Sequence, residues 1–242
     1  MQTTESGSEF KSSGPFYYII SLDPAQLHDY SALAVLQVSR AEKKKVYRLV
    51  SLNRKQHLPY TEIVTWAKRV YLNPKFRRDI SFLPEFLLDV GGVGMALRDM
   101  LAAEGVESVG IQLTGGDTAS RAGNICYVSK GRLVGKFLGA WDEGRVLMPS
   151  TASFLSPFQK ELRAFRGEMS SRGRVRFEAE QGEHDDLVLS VGQAVWWGET
   201  QPEEIELGED LVIGDPGYIS GRGFYEASWG LAPGDRGYSG MF

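Results

Sequence analysis

The sequence predicts an α/β fold, a mixed β-sheet flanked by α-helices, and three observations carry that expectation. Three strand-like apolar runs stand near the start, at 16–22, 31–39 and 45–52, joined by polar turns. After Pro59 the hydrophobic period changes from two to about 3.6. From there to about residue 198, strand-like and helix-like segments alternate, as they do when helices cover a sheet.

Each element has its own signal. Residues 16–22 are an apolar run closed by Asp23-Pro24, the pattern of a strand buried on both faces. A polar loop leads to the run at 31–39, and the charged turn Glu42 to Lys45 leads to 45–52. Short connections of this kind predict an antiparallel meander. Ile63, Trp66, Ala67, Val70 and Tyr71 then recur at helical spacing, which predicts a helix over 60–72. Residues 80–88 return to a strand ending at Asp89. Gly91-Gly92 breaks it, and Val93, Ala96, Leu97, Met100 and Leu101 mark an amphipathic helix closed by Gly105. Short strands are expected at 109–113, 125–128, 144–149 and 174–177. Helices are expected at 131–141, at 154–166, and from Asp185 to about Trp197.

Composition narrows the function classes. Cys126 is the one cysteine, so an internal disulfide and a cysteine-based zinc cluster are excluded. No apolar stretch approaches the ~20 residues that span a bilayer, and the polar opening residues carry no apolar signal core. An intracellular protein without a membrane partner is expected. Net charge is −4, and it is unevenly placed. Residues 199–242 hold nine acidic and two basic side chains, which leaves 25 basic and 22 acidic groups in 1–198. A mildly basic body with an acidic tail is compatible with nucleic-acid binding. The expected organisation is a disordered lead-in at 1–15, one domain over 16–198, and an acidic, then Gly-rich tail over 199–242.

Four carboxylates stand out by position. Asp23 and Asp89 each end an apolar strand, and Asp185-Asp186 open the last helix. Singly, each has an ordinary structural explanation: a turn residue before proline, a strand-end turn, a helix cap. Together, two strand ends and a helix start can converge at one sheet edge. At ~5 Å and an effective dielectric of about 20, each like-charged pair there costs roughly 3 kcal/mol, which cations would relieve. Hard oxygen donors without cysteine favour Mg²⁺ or Mn²⁺, and two such ions suit phosphodiester hydrolysis.

The same segments carry a resemblance. Asp23-Pro24-Ala25 followed by Asp29 and the strand Ser31 to Val38, the turn Asp89-Val90-Gly91-Gly92-Val93-Gly94, and His184-Asp185-Asp186-Leu187 occur in the order of three motifs. Gly144 to Pro149 falls between the second and third. This set resembles the nuclease domain of phage terminase large subunits over about residues 16–198. The resemblance implies a ribonuclease H-like fold of the Holliday-junction-resolvase type, with Asp23, Asp89, Asp185 and Asp186 as catalytic metal ligands for two Mg²⁺ or Mn²⁺ ions. It also implies cleavage of double-stranded, concatemeric viral DNA during genome packaging in the cytoplasm of an infected bacterium. A terminase ATPase domain, a small terminase subunit and a portal would be the partners. No Gly-x-x-x-x-Gly-Lys-[Ser/Thr] occurs, so the ATPase domain is expected outside this chain.

Within Asp185-Asp186, adjacent helical positions diverge by about 100°. Asp185 is the expected direct ligand shared with Asp23, and Asp186 a ligand of the second position or one acting through water. Asp29 and His184 are weaker candidates, Asp29 better explained as a loop residue and His184 as an exposed one, and His28 and His57 have no matching ligand spacing. In 153–178, Lys160, Arg163, Arg166, Arg172, Arg174 and Arg176 outnumber Glu161, Glu168 and Glu178. Lys160, Arg172, Arg174 and Arg176 are candidate phosphate contacts, or else a solvated helix face and hairpin. Two other readings compete: an actin- or sugar-kinase-like nucleotide-binding domain, with Asp89-Val90-Gly91-Gly92 as its phosphate loop, and a non-catalytic packaging scaffold.

Overall fold

The computed structural model describes residues 16–25, 29–41, 43–77, 82–150, 152–169, 175–179, 184–201 and 218–220. Strands β1 (Tyr17–Asp23), β2 (Tyr30–Ala41) and β3 (Lys44–Gln56) form the expected antiparallel meander. Helix α1 (Tyr60–Tyr71) follows, then a short 3-10 turn over Pro74–Phe76 and β4 (Glu85–Asp89). The chain continues through α2 (Gly94–Ala103), β5 (Val109–Thr114), β6 (Ala119–Ala122), β7 (Ile125–Ser129) and α3 (Lys130–Asp142). It ends with β8 (Val146–Pro149), α4 (Leu155–Ala164), the hairpin β9 (Phe165–Met169) and β10 (Val175–Ala179), α5 (Asp186–Thr200) and β11 (Tyr218–Ser220).

Nine strands make one mixed sheet in the order β11-β8-β3-β2-β1-β4-β5-β7-β6, and β9-β10 stand apart as a two-stranded pair. The decisive step is the return through α1, which lays β4 parallel to β1 on the side away from β2. Strands β5 and β7 extend the same parallel run. All four therefore end at one edge of the sheet.

Each face has its own core. Ile19, Leu36, Leu49 and Leu87 pack beneath α3, α4 and α5 with Phe137, Trp141, Phe158 and Trp197. Ile20, Leu22, Leu33 and Leu88 pack beneath α1 and α2 with Ile63, Ala67, Leu97 and Leu101. The period of two along β1 and β4 is what sorts these side chains, sending odd positions toward α5. Residues 187–198 of α5 are buried throughout, so this helix is the spine of its layer.

Several boundaries differ from the sequence expectation. The strand expected at 80–88 begins at Glu85; 82–84 are irregular, and 78–81 lie outside the described residues. The helix expected to reach 166 stops at Ala164, where β9 starts. Strand β6 (Ala-Ser-Arg-Ala) has neither alternation nor β-branched residues, and all four positions are exposed. In the acidic segment, α5 runs on to Thr200, and β11 pairs with β8 antiparallel, Ile219 opposite Met148.

Residues 199–201 are bound to the body. Glu199 takes Arg145 through both carboxylate oxygens, at 2.6 and 3.2 Å, and accepts from the Tyr47 hydroxyl at 2.8 Å. Lys45 donates to the carbonyls of Gly198 and Gln201 at 2.7 and 2.9 Å.

Candidate active site

Register brings the first two carboxylates side by side. Leu22 is level with Leu88 across the parallel β1-β4 pair, so Asp23 and Asp89 follow at the same height on neighbouring strands. Alternation puts both on the face that carries Ile19, Ser21, Glu85 and Leu87, beneath α5. Asp89 is 8% exposed and anchored at both oxygens: Gly91 N–H donates to Oδ1 at 2.7 Å, and Gln193 Nε2 of α5 donates to Oδ2 at 3.2 Å. Buried Ser21 donates to Gln193 Oε1 at 3.1 Å, which fixes the direction of the amide.

The glycine turn after Asp89 is a close-packing device. A Cβ on Gly94 would lie 1.8 Å from the Asp89 carbonyl oxygen, and one on Gly91 would lie 2.9 Å from Asp89 Oδ1. Gly92 sits at φ +52°, in the left-handed region. Helix α2 follows at once from this turn.

Helix α5 delivers the other pair to the same edge. Asp185 stands at its N-cap position and Asp186 at its first helical position, with side chains 23% and 15% exposed. Asp185 makes no side-chain cap bond. Lys130, the first residue of α3 after β7, donates to Asp185 Oδ2 at 2.6 Å. Asp186 Oδ2 is buried without a hydrogen-bond donor, with His184 Nδ1 3.7 Å away.

Electrostatics tie the four together. Burial raises the Asp23 carboxyl well above the usual range, and Asp89, Asp186 and Asp185 push it further, against Lys130 alone. Burial also raises Asp89, despite the Gly91 and Gln193 donors and Lys130. Asp186 is pushed up to about 6 by burial and by Asp185. Burial is the first cause in all three, and neighbouring carboxylates add to it for Asp23 and Asp186.

Among the described residues, no three His, Cys, Asp or Glu side chains form a ready-made metal cage. Asp89 accepts one protein donor at each oxygen, and Lys130 is paired with Asp185. The donor set nevertheless suits hard cations, with four carboxylates at one edge and a buried Asp186 oxygen that lacks a donor.

Other sequence candidates scatter. Asp29 is exposed, though its charge bears on Asp186. His184 is half-buried, its ring edge-on to Tyr30 at 5.0 Å. Lys160 is exposed on α4; Arg176 lies on β10, while Arg172 and Arg174, like His28, fall outside the described residues. His57 follows the end of β3 at this same edge, since Gln56 pairs with Tyr30, but it is exposed and two strands away from β1.

Sequence reasoning missed Lys130, Gln193 and Glu161. For Gln193 the signal was a polar residue three positions after Ser190 in an otherwise apolar helix. For Glu161 it was a charge between Phe158 and Leu162 on the apolar face of α4. Lys130 carried no local signal.

No protein-family model matches the chain, and no curated protein matches it by sequence. Solved structures do. The large terminase nuclease of thermophilic phage G20c with bound magnesium is 20% identical, with a TM-score of 0.58 over 77% of this chain and 82% of that one. The large terminase nuclease domain of Thermus phage P74-26 is 19% identical, with a TM-score of 0.53 over 81% and 84%. That of P22 is 17% identical, with a TM-score of 0.51 over 78% and 85%. The chain has the ribonuclease H-like fold of the phage large-terminase nuclease domains.

Proposed function

We propose that this chain is a metal-dependent DNA endonuclease that cuts concatemeric viral DNA during genome packaging, by two-metal phosphodiester hydrolysis. The observation that carries the reading is the meeting of Asp23, Asp89, Asp185 and Asp186 at one sheet edge with Asp186 Oδ2 lacking any donor. The likeness to a terminase nuclease solved with magnesium supports the choice of cation. Asp23, Asp89, Asp185 and Asp186 would hold two Mg²⁺ or Mn²⁺ ions, whose chemistry when bound would be activation of a water and stabilisation of the leaving oxygen.

The residues divide the work. Asp23 feels all three other carboxylates, Asp89 most and Asp185 least; Asp185 would hold a cation together with Asp23, and Asp186 would serve the second position, directly or through water. Gln193 and Gly91 hold Asp89 in one orientation, so that it turns toward the site without rotamer search. Lys130 neutralises part of the edge and must yield Asp185 when a divalent cation arrives. Lys160, Arg172, Arg174 and Arg176 would contact phosphates of double-stranded DNA. The domain proper is taken as residues 16–198, with a terminase ATPase domain, small subunit and portal as partners in the cytoplasm of the infected host.

Incubation with supercoiled plasmid in Mg²⁺, Mn²⁺ or chelator tests the reading. Nicking confined to the metal arms is expected. Intact plasmid in every arm, with a folded protein, would overturn it. A thermal shift with ATP and no nicking would transfer the fold to the nucleotide-binding reading.

A further inference from the structure

A helix start leaves its first N–H groups without intrahelical partners, and a side chain at the N-cap normally accepts from the second or third of them. In α5 the residue at that position, Asp185, does not. The N–H groups in question belong to Leu187 and Val188, and both donate to Glu161 Oε2 of α4, at 2.8 and 3.3 Å. Glu161 is 3% exposed, and its other oxygen is paired with Arg54 of β3 at 2.6 Å. The Arg54 guanidinium lies over the Tyr30 ring at 4.3 Å, and Tyr30 in turn meets His184 edge-on. A continuous set of contacts thus runs from β2 and β3 through α4 to the first turn of α5.

The consequence concerns the two aspartates. A carboxylate that caps its own helix spends its lone pairs on backbone N–H groups and is drawn toward the helix axis. With Glu161 supplying those acceptors from outside, Asp185 is left to Lys130, and Asp186 keeps an oxygen without a donor.

We propose that Glu161, held by Arg54, is a positioning residue that caps α5 from α4 and so keeps both Asp185 and Asp186 available to cations at the sheet edge. This rests on the nuclease reading above for its activity arm only. Loss of such an outer partner weakens metal binding by about 10–100-fold.

The test compares wild type with Glu161→Ala and Glu161→Gln, reading calorimetric Mn²⁺ affinity, the Mg²⁺ midpoint of plasmid nicking, and KM for DNA. Glu161→Ala is expected to weaken Mn²⁺ binding and raise the Mg²⁺ midpoint by about tenfold or more, with KM for DNA changed by less than about twofold. Glu161→Gln keeps an acceptor oxygen for Leu187 and Val188 and is expected to recover most of that loss. A folded Ala variant with unchanged metal affinity overturns the proposal, even if its Tm falls; so does a Gln variant as impaired as Ala. If Glu161→Ala does not fold, Glu161→Asp, which withdraws the carboxylate by one methylene, takes its place with the same expectation and the same overturning result. A wild-type protein that binds Mn²⁺ but leaves plasmid intact defeats the nuclease reading while the Mn²⁺ comparison still decides the role of Glu161; a wild type that binds no Mn²⁺ defeats both.

Discussion

Replacing Asp23 with Asn should make the metal-free protein more stable while abolishing cleavage. Asp23 and Asp89 end neighbouring parallel strands at the same height, and such strands lie about 4.8 Å apart. At that spacing and an effective dielectric near 20, two ionised carboxylates repel by roughly 3 kcal/mol, and Asp185 and Asp186 add to this against Lys130 alone. Protonation relieves part of the repulsion, so a net gain of about 1–3 kcal/mol at pH 8 is the expected size. For a domain of this length that is a rise of roughly 2–10 °C in Tm. The sign with pH follows from the raised Asp23 carboxyl. Its folded affinity for protons exceeds the unfolded one, so its contribution is fully favourable below the ordinary value of 3.8 and is lost as pH rises through the folded value. The Asn variant should therefore match wild type near pH 4 and exceed it increasingly toward pH 8 in chelator. Adding Mg²⁺ should raise the wild-type Tm more than the variant's. Thermal melts across that range decide it. An Asn variant less stable than wild type at every pH would make Asp23 a structural turn residue and refute the reasoning.

Asp185→Ala should lose nicking at every metal concentration, whereas Asp186→Ala should regain part of it at high Mn²⁺, which sheds water more readily than Mg²⁺; a metal-bound crystal structure with Asp185 facing solvent would reverse the assignment. Replacing Arg172, Arg174 and Arg176 with Gln should weaken binding uniformly across DNA sequences and flatten the log–log salt slope by up to about three, read by fluorescence anisotropy; an unchanged slope would remove these residues from the interface. Truncation after Gly198 should cost about 1–3 kcal/mol, because the largely buried Arg145 loses Glu199 while keeping Glu143 and the Lys45 carbonyl; an unchanged denaturation midpoint would show that the pair contributes nothing.

The carboxylates were legible because each occupies a position that sequence reports well. An apolar run that stops at an aspartate is visible without a fold, as is an acidic pair opening an apolar helix. Their convergence was expected from the order of the segments, but the strand pairing that produces it was not visible. It depends on β4 crossing over to lie beside β1 instead of β3, and on β7 ending at the same edge, and both are choices of the whole sheet. Lys130 illustrates the difference: at the start of α3 it reads as an ordinary surface lysine, and only the placement of α5 gives it Asp185 as partner. Glu161 was legible in a weaker sense, as a charge on an apolar stripe, but counting it among the acids of a basic stretch hid that exception. The ends of the sheet were hardest. Strand β6 is exposed at all four positions and exists through pairing with β7, while β11 is three residues in a segment whose composition signals no strand.

The raised carboxyls and the single lysine describe one balance. Four acids share this edge, and Lys130 is the cation that lowers both Asp23 and Asp89. Lys130 acts on Asp23 and Asp89, and Arg54 and His184 lower Asp186, yet all three carboxyls stay raised: burial comes first for each, and neighbouring carboxylates add to it for Asp23 and Asp186. On the nuclease reading, these carboxylates would hold a divalent cation in their deprotonated form, with Asp185 released from Lys130, because ligands must be deprotonated to bind. Cation affinity must then rise with pH through the region of the Asp186 carboxyl, near 6, and the Glu161 cap matters most where that carboxyl is ionised. The instability that clustering imposes on the empty edge is thereby the source of its affinity: what the carboxylates lose by mutual repulsion they recover when a cation of higher charge than lysine takes its place.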